Sequence, residues 1–212
     1  RGQAHAINKG FARAKGEIFT WLNADDLLFP DAVARAVETI IEHKADLVYA
    51  NCLLLDAQGQ FLRPFVEIED YDAFRLRNCS DFIMQPAAFF TRQAYLACGG
   101  LDESLHYTFD WDFWCKIAAH GGRIVCHDGY SAAAHIHPEA KTQRGRWDRL
   151  MEIWRTLARH RTGLWPTALF ASLASGCIVM AKEQPGMARR LFWRCAWLAC
   201  KLFSLRNVTK IR

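Results

Sequence analysis

The chain has 212 residues (24.3 kDa), 51% hydrophobic and 23% charged, an ordinary globular composition that excludes a disordered or fibrous protein. Net charge is +5, but residues 1–140 hold 12 Lys and Arg against 19 Asp and Glu, whereas residues 141–212 hold 15 against 3. An acidic body with a basic tail implies two tasks, the tail facing something anionic; no nucleic-acid motif accompanies it, so nucleic acid is not an expected partner.

The first residue is Arg1, and no charged leader with an apolar stretch follows it, so the sequence reads as opening inside a domain. Apolar Ala4, Ile7, Phe11 and Ala14 recur at helical spacing, and Gly16 ends that helix. Glu17–Leu22 is short and β-rich, and it runs into Asn23-Ala24-Asp25-Asp26. Pro30 then opens a helix to about His43. Asp46–Leu55 reads as a buried strand closed by the turn Asp56–Gly59. Phe61–Asn78 carries no single pattern. Pro86–Thr91 reads as a strand, Arg92–Ala97 as a short helix, and Gly99-Gly100 as a break. Asp110–His120 is helical, Arg123–Cys126 and Ser131–His137 are two short strands, and the pattern from Arg144 onward is helical. Strands alternating with helices predict an α/β domain over residues 1–142 and a helical tail over 143–212. The eight cysteines form no C-x-x-C pair, which fits reduced, buried thiols in a cytoplasmic compartment better than disulfides or a zinc knuckle.

Three segments carry chemistry. Asp25 and Asp26 follow a strand, the end of α/β sheets where ligands gather. Two adjacent carboxylates repel each other, and either a hard cation such as Mn²⁺ or Mg²⁺ or a helix-capping role would accommodate them. Asp110 and Asp112 are two apart and cannot share a helix face, so one points into a cleft while the other caps or meets solvent. Trp111 and Trp114 do share a face, as the floor of a sugar site or as core. His135 and His137 lie on one side of a strand, where a ring nitrogen could complete a carboxylate–phosphate metal site.

Together these segments resemble a known family. RGQAHAINKGFARAKGEIFTWLNADDLLFPDAV is similar to the segment leading into the DXD-type motif of family-two glycosyltransferases. QPAAFFTRQAYLACGGLDESLHYTFDWDFWCKIAAHGG is similar to their acceptor-side segment. The resemblance covers about residues 1–142 and implies a GT-A fold, Rossmann-like, here without its first strands. It further implies a nucleoside-diphosphate sugar donor, a saccharide or glycolipid acceptor, a divalent metal and an inverting displacement. Residue by residue, Asn23 stands at the first acid of the DXD element, Asp25 at the metal-binding acid, and Asp26 supports it. Asp110 stands at the catalytic base, and His137 at a histidine holding metal and diphosphate. Asn8 lies where the family has a polar residue near the nucleotide, and Gln85, Trp111, Asp112 and Trp114 fall in the substrate-binding segment. Two departures are that Asn23 replaces an acid and that Phe109 precedes Asp110 where many relatives have Glu. A nucleotidyltransferase of similar fold, or a transferase-like scaffold without activity, are the alternative readings.

In the tail, Thr162–Ala181 holds no charged residue for 20 positions, but its Pro, Gly, Ser and Thr content makes it only modestly apolar. On a helical wheel, Met187–Phe203 collects Arg189, Arg190, Arg194 and Lys201 with Trp193 and Trp197 on one arc, and apolar residues opposite. That pattern points to peripheral association with an anionic inner membrane surface, the alternative being a helix packed on the domain with a solvated basic face.

Overall fold

The computed structural model describes residues 2–65, 68–136 and 146–162. In chain order these form α1 (Gln3–Phe11), β1 (Ile18–Phe19), β2 (Leu27–Leu28), α2 (Ala32–His43), β3 (Leu47–Leu55), β4 (Phe61–Pro64) and α3 (Ala73–Asn78). A 3-10 turn (Gln85–Ala87), β5 (Ala88–Thr91), α4 (Arg92–Ala97), α5 (Phe109–Ala119), β6 (Ile124–His135) and α6 (Arg146–His160) follow.

The strands make one sheet in the order β1-β5-β3-β6-β2, with β4 also pairing β3. β3 and β6 run parallel, and the other pairings are antiparallel. Leu47, Val48, Tyr49 and Ala50 of β3 are all closed to solvent, which explains the unbroken apolar run in the sequence: this strand is covered on both faces. Alternation along β3 then sorts the layers. Val48, with Phe89, meets Ala32, Ala36 and Ile40, the buried i, i+4, i+8 stripe of α2. Leu47 and Tyr49, with Phe90, face the larger core built from α1, α3, α4, α5 and α6.

That larger core is aromatic. Phe11 stacks on Phe19 with centroids 4.7 Å apart, Phe90 meets Phe113 edge-on at 4.9 Å, and Trp21 stacks on Trp114 at 5.8 Å. Each such pair adds about 0.5–1.5 kcal/mol beyond the area it buries.

Four expectations change. Phe61–Asn78 resolves into β4 and α3, whose start is capped by Asp72 Oδ1 accepting from the amides of Phe74 and Arg75. β2 was not read from the sequence; two residues pairing with Ala132 and Ala133 are too few to show a period. The two strands expected at 123–126 and 131–137 are one, β6, whose register against β3 shifts near Asn51. Gly129 (φ +88°) takes a left-handed conformation in that irregular stretch, where an added Cβ would lie 2.9 Å from Arg35 Nη1. The boundary at 142/143 is also corrected. α6 belongs to the domain, with Leu157 1% exposed in the main core and Glu152, Thr156 and His160 buried against α5 and its approach. Among the described residues, no helix is long and apolar enough to cross a membrane, and the five cysteines are free thiols. Met187–Phe203 and residues 163–181 of the uncharged stretch lie outside the described residues.

Candidate active site

The acid loop is held by amides. Gln85 donates from Nε2 to the Trp21 carbonyl, and its Oε1 accepts from Asn23 Nδ2 at 3.1 Å. Asn23 Nδ2 also donates to Asp26 Oδ2 at 2.8 Å, and Asn23 Oδ1 accepts from Gln3 Nε2 at 2.7 Å. The Asp26 amide closes the turn onto the Asn23 carbonyl at 3.1 Å. Asn23 is therefore the hinge pin of the loop, a job that an acid could not do, because it needs a donor and an acceptor on one side chain. Pairing of β2 with β6 brings His135 alongside, its Nδ1 hydrogen-bonded to the Asp25 carbonyl.

The two carboxylates differ. Asp25 is exposed, and Asp26 is half-buried. Burial pushes the Asp26 carboxyl above its ordinary range; the Asn23 amide pulls it down, and the charge of Asp25 pushes it up again.

A second carboxylate group forms at the start of α5. Asp110 is half-buried, and its Oδ1 accepts from the Trp111 amide at 2.8 Å. Asp81, in the segment after α3, faces it. Burial raises the Asp81 carboxyl well above the usual range and the charge of Asp110 adds to this; the Ile83 amide (3.2 Å) and Arg149 of α6 oppose. Asp81 was missed from the sequence, although a lone acid in the apolar run CSDFIM was a usable signal.

Trp21 ties the two groups together. Its ring lies 6.2 Å from Phe109, the residue before Asp110, and it precedes Asn23 by two positions. The stretch that leads into the acid loop is thus in contact with the start of α5. A cavity of about 430 Å³ lined by Asn51, Asp70, His127 and Asp128 shares no residue with them.

Several of the expected ligand residues make contacts within the fold. Asn8 is spent on structure: its Oδ1 accepts from Tyr95 Oη (2.8 Å) and the Leu101 amide (3.1 Å), and its Nδ2 donates to the Leu101 carbonyl (2.9 Å) and Glu103 (3.0 Å). It latches α1 to the segment after Gly100, where an added Cβ would lie 3.0 Å from Tyr95 Oη. Gln85 is buried and holds the acid loop through Asn23 and the Trp21 carbonyl. Trp111 and Trp114 are core, at 5% and 0% exposure, Trp111 donating from Nε1 to the Leu76 carbonyl at 2.8 Å. Asp112 is closed to solvent, bound by Lys116 Nζ (2.9 Å), Arg159 Nη1 (2.9 Å) and His160 Nε2 (2.7 Å). His137 lies outside the described residues.

Among the described residues, no three His, Cys, Asp or Glu side chains gather as a metal cage. The pair Asp25 and Asp26 still fits Mn²⁺ or Mg²⁺ of the kind held by one or two carboxylates together with phosphate oxygens. The raised Asp26 carboxyl fits as well, since a cation there would relieve the repulsion from Asp25.

Residues 1–99 match the sequence profile of Glycosyl transferase family 2. An uncharacterized glycosyltransferase of Rickettsia typhi is 30% identical over 130 residues, covering 55% of this chain and 39% of that protein. One from Haemophilus influenzae is 22% identical over 120 residues, covering 55% and 41%. The chain thus spans less than half the length of these relatives. Among solved structures, S. aureus TarS residues 1–349 in complex with UDP-GlcNAc superposes with TM-score 0.54 at 15% identity, over 100% of this chain and 74% of that one. The mannosyltransferase PcManGT from Pyrobaculum calidifontis, in complex with GDP-Man and Mn²⁺, superposes at 0.53 with 17% identity, over 97% and 55%. The α/β fold is of the GT-A type.

Proposed function

For a chain whose residues 1–99 match the sequence profile of glycosyl transferase family 2, we propose transfer of a sugar from a nucleoside-diphosphate donor to a hydroxyl of a saccharide or lipid-linked acceptor, with inversion. The observation that carries this reading is the contact of Trp21 with Phe109, which links the stretch before Asn23–Asp26 to the helix start that bears Asp110.

In this reading the two groups act on opposite sides of the anomeric carbon. Asp110 takes the proton of the attacking acceptor hydroxyl as the new bond to that carbon forms. The bond to the diphosphate breaks in the same displacement. Asp25, exposed at the loop tip, holds Mn²⁺ or Mg²⁺ together with Asp26, and His137 is a further ligand. When bound, the metal neutralises charge on the departing diphosphate. Gln85 and Asn23 hold the loop in place so that this geometry is preformed.

We also place the protein at the cytoplasmic face of the inner membrane, held peripherally through its basic tail. Support comes from the tail's charge and from exposed Trp147 and Met151 on α6, where that basic region begins.

The test is a hydrolysis and transfer screen of the intact protein with a panel of UDP- and GDP-sugars, in Mn²⁺, in Mg²⁺ and in chelator. Release of nucleoside diphosphate that needs the metal supports the reading. Release of pyrophosphate from a nucleoside triphosphate and sugar phosphate would favour a nucleotidyltransferase instead, and no turnover of either kind would favour a scaffold.

A further inference from the structure

Helix α5 starts without a side-chain cap of its own. Thr108 precedes it but makes no bond to the helix amides, because its hydroxyl lies 2.9 Å from Thr156 Oγ1 on α6. A buried carboxylate from α6 sits on the approach instead. Glu152 accepts from the His106 amide at 2.9 and 3.0 Å, from the Tyr107 amide at 2.6 Å and from the Thr108 amide at 3.3 Å. Three consecutive amides converging on one anion form a nest.

The start of α5 carries a partial positive charge, equivalent to roughly half an elementary charge. Asp110 sits in that first turn. Left alone, the positive helix end would favour the charged form of Asp110 and weaken it as a base. Glu152 places a negative charge at the same helix end. Among the described residues, Asp81 acts on Asp110 through its charge, Arg149 acts on Asp81, and Asp112 with Lys116, Arg159 and His160 lies further along.

We propose that Glu152 is a positioning residue for Asp110: it fixes the entry into α5 and offsets the positive helix end beside the Asp110 carboxylate. What Asp110 does with its proton rests on the sugar-transfer reading; the coupling itself does not.

The experiment is a carboxyl-carbon NMR titration of the ¹³C-labelled intact protein, with the Asp110 signal identified by its loss in Asp110→Asn. In Glu152→Gln, which keeps shape and one acceptor oxygen, the Asp110 midpoint should fall by roughly 0.2–0.7 pH unit, the effect of one charge at a helix end. Thr156→Val cuts the neighbouring tie without changing charge and should leave the midpoint in place. An unmoved midpoint in folded Glu152→Gln overturns the proposal, as does an equal shift in Thr156→Val. If Glu152→Gln does not fold, Glu152→Asp decides, since drawing the charge back by one methylene should give a smaller shift of the same sign and no shift overturns the proposal. Turnover is read separately: if Asp110→Asn stays active, the base assignment fails while the coupling to Glu152 stands.

Discussion

His160 Nε2 lies 2.7 Å from Asp112 Oδ1, and both side chains are closed off from water. The contact joins α6 to the first turn of α5, with Lys116 and Arg159 on the same carboxylate and Arg159 reaching on to Asp102 at 2.7 Å. Burial alone would raise the Asp112 carboxyl, but the hydrogen bonds from His160 and Lys116 outweigh it and hold it at about 2. A carboxyl depressed in the folded state stabilises above its unfolded value, and that contribution is lost as pH falls. We expect urea stability to drop between about pH 4 and pH 2 in the wild type and to stay flat there in Asp112→Ala. At pH 7 the substitution should cost about 3 kcal/mol, the low end for breaking a buried pair, because Lys116 and Arg159 can turn to solvent. A cost below about 0.5 kcal/mol would place this cluster with ordinary surface pairs.

Asp81 should behave in the opposite sense. Its carboxyl is raised by burial and by Asp110, so ionisation is disfavoured in the fold. Stability present below the unfolded value is then lost as pH rises through the folded one. Asp81→Asn mimics the protonated side chain, so its melting temperature should exceed that of the wild type at pH 8, with the gap closing near pH 4. A gap of the same size at both values would mean that the gain has nothing to do with charge.

Elements with a period were legible in the sequence, and elements made by pairing were not. α2 showed itself through Ala32, Ala36 and Ile40, and β3 through its apolar run, because burial wrote those patterns directly. β2 is two residues long and exists only because β6 lies beside it. Asp25, Asp26 and Asp110 stood out in the sequence as carboxylates at element ends, with ligand binding and helix capping both open. Asp112 looked the same in FDWDFW, yet the partners that make it structural, Arg159 and His160, are 47 and 48 residues away. No local rule connects them. The bonds of Asn8 and Gln85 within the fold were hidden for a related reason: a side-chain amide gives no sign in the sequence of what it will face.

Asp25→Ala should abolish metal-dependent turnover while leaving the melting temperature within about 1 °C, since an exposed side chain away from buried features changes stability little. The check is nucleoside-diphosphate release across a Mn²⁺ titration. Wild-type rates for the variant in chelator would remove Asp25 from the metal site.

Membrane attachment should follow charge. Each basic residue near an anionic leaflet contributes about 1 kcal/mol, falling with salt. The intact protein should co-sediment with anionic vesicles at low salt, release at high salt, and ignore neutral vesicles. Equal, salt-insensitive binding to both lipids would point to apolar insertion instead.

Asp110 and Asp112 sit two residues apart on α5, and one experiment can divide the base role proposed for Asp110 from the ion-pair role of Asp112. Asp110 is half-buried at the first turn, facing Asp81, on the helix start that Trp21 contacts through Phe109. Replacing it with Asn keeps an acceptor for the Trp111 amide, so the helix start should survive and the melting temperature should hardly change. Turnover should fall by about 10²–10⁴-fold, the usual loss when a positioned base is removed. Asp112→Asn should do the reverse: an amide cannot balance Lys116, Arg159 and His160, so stability drops, while the folded fraction keeps a rate per site within a few-fold of the wild type. Rate measured against folded protein, with melting curves for both variants, separates the two. If Asp112→Asn proves the crippling change in rate while Asp110→Asn stays active, the base belongs to the other carboxylate, and the burial of Asp112 must open during the reaction for it to act.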